Sequence, residues 1–86
     1  MSERDIQQKI IEMATNRGAE KTICPSEVAR EMFGDDWRSA MQAVREAAFD
    51  LALKNKVVVT QKGKAVDPET LKGPIRIRIQ QLKVND

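Results

Sequence analysis

One stretch constrains the fold of this chain more than any other: DDWRSAMQAVREAAFDLALK, from Asp35 to Lys54. It is the longest helical pattern present. At about 100° per residue, Trp37, Met41, Val44, Ala48 and Leu51 fall on one side, widened by Ala40 and Ala52. Arg38, Gln42 and Arg45 share a second stripe well away from the first, with Phe49 on the same line and Glu46 and Asp50 on the neighbouring face. A helix of this kind buries its seam against a small core and keeps a polar face outside. On its alignment with Met41 and Val44, Trp37 reads as a core residue, whereas Arg38 and Arg45 read as exposed.

The segments before it carry the punctuation of two shorter helices. Ser2 is placed to cap the first, Ile6, Ile10, Met13 and Ala14 form its inward stripe, and Gly18 is its natural stop. Thr22-Ile23 suits a very short strand. The second helix runs from Cys24/Pro25 to Phe33, with Pro25 in the first helical position and Glu27 at the positive end of the helix. Its buried side is Val28, Ala29, Met32 and Phe33. Gly34-Asp35-Asp36 then makes a short, glycine-containing connection of the helix-turn-helix kind. Asp50 and Lys54 are spaced for a favourable i,i+4 pair.

After Asn55-Lys56 the periodicity changes. Val57 to Gln61 is β-branched and too short for a helix, and Ile75 to Gln80 alternates isoleucine with Arg76, Arg78 and Gln80. Lys62-Gly63 can turn Lys64-Ala65-Val66 back along the first strand, which makes three strands. A two-stranded hairpin with one long wing is the other option. Either way the order is α+β: a winged helix-turn-helix, three helices followed by a small antiparallel β-hairpin or three-stranded sheet, in one domain over residues 1–86. The last residues, from Leu82, are expected to fray.

In this half of the chain VVVTQKGKAVDP, followed by KGPIRIR, resembles a family of small bacterial proteins classed as a domain of unknown function. ICPSEVAREMFGDDWRSAMQAVREAAFDLA is similar to the helical part of the same family. The resemblance runs from about Ile23 to Arg78 and implies a winged-helix fold. It brings no activity and no catalytic or binding residue with it.

Charge distribution then bears on function. The net charge is +2, but Met1 to Ala52 carries seven Lys/Arg against ten Asp/Glu (net −3), and Leu53 to Asp86 carries eight against three (net +5). A basic end suits an anionic partner; lysines also keep a small hairpin soluble and its edges unpaired. A winged helix sets its third helix in the major groove while the wing meets backbone or minor groove. Arg38, Gln42 and Arg45 are side chains suited to guanine and adenine edges. Lys62, Lys64, Lys72, Arg76 and Arg78 can neutralise phosphates. Glu46 and Asp50 oppose this, and Phe49 points to burial of the last turns under the hairpin. The competing reading is a protein-docking module, with an acidic helical half and a basic wing.

Catalysis is the least supported class. Histidine, the commonest general base and a common metal ligand, is absent from the sequence. One cysteine and scattered carboxylates make no zinc site, and no phosphate-cradling glycine motif occurs. Cys24 stands at a helix start, where the local field favours a thiolate, but a small residue packed at a cap explains it as well. No cofactor or metal is expected. A run of about 18 apolar residues is missing, and MSERDIQQKI is too polar for a secretory signal. The sequence thus points to a non-enzymatic cytoplasmic protein, monomeric or weakly dimeric, that binds DNA or RNA or else a protein partner.

Overall fold

The computed structural model describes residues 3–61, 64–65 and 73–80. Ser2, Lys62, Gly63, Lys72 and the chain beyond Gln80 lie outside them. The elements are α1 (Glu3–Arg17), α2 (Pro25–Phe33), one 3₁₀ turn (Gly34–Asp36), α3 (Trp37–Leu53), β1 (Val57–Gln61), β2 (Lys64–Ala65) and β3 (Arg76–Ile79). The protein is a small mixed α+β structure with an antiparallel sheet.

Among the described residues there are thus four helical elements, where the sequence suggests three with a plain connection. The cause is local. Gly34 adopts φ +58, which ends α2, and its N–H returns to the Arg30 carbonyl. Asp35 and Asp36 then wind a single tight turn, closed by the Trp37 N–H on the Gly34 carbonyl. That turn leads straight into α3 and fixes the corner between α2 and α3.

The carboxyl end of α3 closes differently. Asn55 takes φ +61, the Lys56 N–H bonds the Leu51 carbonyl at 2.9 Å, and the Asn55 N–H bonds the Ala52 carbonyl at 3.0 Å. This pair of bonds is a Schellman motif, with asparagine in the left-handed position that glycine usually holds. It turns the chain directly into β1. The expected Asp50–Lys54 ion pair does not form within 4 Å: the bond between these residues runs from the Lys54 backbone N–H to the Asp50 carbonyl, at 3.2 Å.

β1 is central in the sheet order β2-β1-β3, and both pairings are antiparallel. Gln61 faces Lys64, as the turn-back reading of residues 62–65 requires, and Val59 faces Ile77. On the far side of β3, Ile23 and Ile77 exchange two backbone bonds of 2.8 Å. The short Thr22-Ile23 segment thereby covers an edge of the sheet that would otherwise be open.

The core joins all these parts: Ile6, Ile10 and Ala14 of α1, Ile23, Val28 and Ala29, then Val44, Ala47, Ala48 and Leu51 of α3, and Val57, Val59, Ile75 and Ile77 from the sheet. On α3 the buried line runs through alanines, which let α1 and α2 approach closely. The wide side chains Trp37 and Met41 are left partly buried at its margin.

Candidate functional site

The polar stripe read from the sequence lies on the outward side of α3. Arg38 and Gln42 are exposed, while Arg45 is half-buried. Each is engaged differently. The Arg38 guanidinium lies over the Trp37 ring, its carbon 4.6 Å from the ring centroid. Gln42 Nε2 donates to Glu46 Oε2 at 3.1 Å. Arg45 Nη1 donates to the Gly73 carbonyl at 2.9 Å, and its guanidinium lies over Phe49 at 5.5 Å. Arg45 therefore anchors the chain leading into β3 to the flank of α3.

Trp37 packs against the core as its spacing suggests, but it is only partly buried there. It opens α3 at the corner with α2, partly buried, and a second guanidinium stacks on the same ring: that of Arg30, near the end of α2, at 4.3 Å. Each such contact is worth about 0.5–1 kcal/mol at an exposed site. Arg30 and Arg38 are both exposed, and neither has a carboxylate within 4 Å among the described residues. Sequence reasoning misses Arg30 because it stands on another helix. The available signal was an arginine within one turn of the end of α2, facing an aromatic at the start of α3.

The basic strand residues separate in the same way. Arg76 turns back on the segment before α2: its Nε donates to Thr22 Oγ1 at 2.9 Å, and its Nη1 donates to Cys24 Sγ at 3.4 Å. Arg78 is half-buried and lines an open groove of about 300 Å³ with Ala19, Glu20, Val58, Ile79 and Gln80. Lys64 occupies β2, whereas Lys62 and Lys72 lie outside the described residues. The structure thus brings Arg38 and Gln42 together on one exposed side and commits Arg45 and Arg76 to internal partners.

Around Cys24 the structure builds a staple between elements. Glu27 reaches back from the third position of α2 to the Cys24 N–H at 3.4 Å, the arrangement of a capping box. Its same oxygen accepts from the Cys24 thiol, and its other oxygen pairs with Arg17, whose Nη1 also donates to the Thr22 carbonyl at 2.9 Å. Partial burial pushes the Glu27 carboxyl up. The hydrogen bonds from Arg17 and Cys24 outweigh that burial and hold the group below its ordinary value of 4.5. The end of α1, the Thr22-Ile23 bridge, the start of α2 and β3 are all tied here. Cys24 is half-buried inside these contacts.

An opposite perturbation occurs at the start of α1. Glu3 shares a hydrogen bond with Asp50 of α3, and that bond and the Asp50 charge raise its carboxyl above 4.5. Among the described residues no group of three or more His, Cys, Asp or Glu side chains is arranged to hold a metal ion. No described helix is long and apolar enough to cross a membrane.

Residues 3–80 match the family described as "Protein of unknown function (DUF3253)". No curated protein matches the chain. The family match covers nearly the whole sequence, so the chain belongs to that family.

Proposed function

With that family membership as the premise, we propose that this chain is a non-enzymatic winged-helix domain that binds duplex DNA with the outward side of α3. The order of elements supports the fold reading: a helix, a bridging residue, two helices meeting at a tight corner, then an antiparallel strand pair whose second strand takes the bridge. On this reading α2 and α3 form the helix-turn-helix, and the chain between β1 and β3 forms the wing.

The observation that carries the functional reading is the exposure of Arg38 on the first half of α3, stacked with Arg30 on Trp37. Helix-turn-helix proteins present this part of the second helix to the groove. Arg78 and the lysines at 62, 64 and 72 add positive charge in the carboxyl-terminal part of the chain. Arg45 and Arg76 act through the frame: they hold the chain before β3 and the bridge in place.

The test is a fluorescence titration of Trp37 with mixed-sequence duplex DNA at two salt concentrations, repeated by a label-free method. Binding that weakens steeply with salt and is weakened again in an Arg38→Ala variant supports the reading. Absence of binding at low salt defeats it. One observation favours the protein-docking reading instead: Leu53, at the end of α3, is 65% exposed. Capture of a defined protein partner by that end of the helix, together with indifference to DNA and RNA, is the result that reading requires.

A further inference from the structure

The pair of arginines on Trp37 deepens the DNA-binding reading. Resting on that reading, we propose that Arg30 and Arg38 form a clamp for the phosphate backbone of duplex DNA, so that the domain binds DNA without regard to sequence.

The middle of α3 has little left to offer a base. Of the side chains suited to base edges, Arg45 is tied to the Gly73 carbonyl, and the Gln42 amide donates to Glu46. The Arg45 guanidinium that would read guanine is tied to the backbone, and the Gln42 amide that would read adenine already has an acceptor beside it on the exposed face. The Glu46 carboxylate on the same exposed side repels phosphate and keeps the middle of the helix away from the strands. Direct readout has little to work with.

The corner between α2 and α3 is different. One indole ring carries two guanidiniums, one from each helix, at 4.3 and 4.6 Å from its centroid. Stacking fixes two long side chains that would otherwise lose their freedom on binding, so the clamp is organised in advance. It leaves their N–H edges without a carboxylate partner among the described residues. Planar donors of this kind match phosphate oxygens. Two like charges gathered on one ring are relieved by an anion, and a duplex offers phosphates in close succession. Asp35 and Asp36 stand nearby in sequence, but neither pairs with the two arginines, and their charges limit the clamp to moderate affinity. Contacts of this class position a protein on DNA and carry no sequence information.

The experiment measures anisotropy of three labelled duplexes of unrelated sequence across a salt series. The proteins are the wild type, Arg30→Gln, Arg38→Gln, the double variant and Gln42→Ala, with circular dichroism confirming that each is folded. For the wild type the three affinities should agree within about tenfold, against the roughly thousandfold or larger gap of a specific reader. Each arginine variant should weaken all three duplexes alike and flatten the slope of log K against log salt by about 1. Gln42→Ala should leave the affinities in place. Two results overturn the clamp while leaving DNA binding intact: folded arginine variants that bind like the wild type, or one strongly preferred duplex whose advantage disappears with Gln42→Ala. Failure of every duplex to bind at low salt overturns the clamp and the proposed function together.

Discussion

Replacing Glu27 with alanine tests the staple at the start of α2. The weak bond from the Cys24 thiol is lost, and three larger contributions disappear with it. The pair with Arg17 joins side chains that are 31% and 40% exposed, so it is worth about 0–1 kcal/mol. The capping bond to the Cys24 N–H is long, at 3.4 Å, and belongs at the low end of the roughly 0.5–2 kcal/mol measured for caps. The carboxylate's interaction with the helix dipole adds a few tenths of a kcal/mol, roughly, and overlaps with the cap. Together they give about 1–2 kcal/mol, which lowers Tm by roughly 5–15 °C in a domain of this size. The pH dependence isolates the charge. The folded state holds the Glu27 carboxyl below its ordinary 4.5, so the native protein favours the ionised form. Its stabilisation is complete above that ordinary value and is lost as pH falls through the lower folded value. Thermal melts followed by circular dichroism at pH 7 and about pH 3 should therefore show two well-separated curves that converge in acid. Glu27→Gln, which keeps the shape and removes the charge, should fall between the wild type and the alanine variant at pH 7. An equal gap at both pH values would show that packing, not the carboxylate, stabilises this corner. No gap at pH 7 would remove the staple altogether.

Other perturbations probe the same geometry elsewhere. Asp50→Asn removes the charge that raises the Glu3 carboxyl, and should increase the urea midpoint at neutral pH. The folded-state value of Glu3 is raised, so its favourable contribution exists below 4.5 and is lost as pH rises. The gain from Asp50→Asn should thus vanish in acid, and a lower midpoint at pH 7 would contradict the assignment. Ile77→Ala empties a fully buried site where β1, β3 and the Ile23 bridge meet, at a cost of about 2–5 kcal/mol in equilibrium unfolding. A cost below about 1 kcal/mol would mean that this layer is loosely packed. Gly34→Ala meets no atom within 4 Å, but φ +58 with ψ −126 is a backbone region reserved for glycine, so strain alone should cost about 1–3 kcal/mol. A neutral result there would place the end of α2 in another conformation.

Much of the frame was legible in the sequence because it rests on local rules. Pro25 and Gly34 bound α2, the alternation through Ile75–Ile79 gives β3, and the Thr22-Ile23 dipeptide becomes the bridge to Ile77. What resisted reading was the destination of each polar side chain. Arg38 and Arg45 share a stripe and look equivalent at helical spacing. In three dimensions one lies open over Trp37, and the other meets a carbonyl contributed 28 residues further along the chain. Arg76 alternates outward from the isoleucines as expected, yet the arrival of Thr22 and Cys24 at its end converts a phosphate candidate into a tie between elements. A carbonyl and a phosphate oxygen ask the same of a guanidinium, so periodicity places the cation without identifying its acceptor. Trp37 shows the converse. Its angle on the helix is that of a core residue and it packs against the core, but it is the first residue of α3, ahead of the buried line that begins at Ala40. The ring settles at the margin and gathers Arg30 and Arg38. The difference between a packed aromatic and a charge-bearing one is decided by where a helix meets its neighbour, and that is a property of the tertiary contact alone.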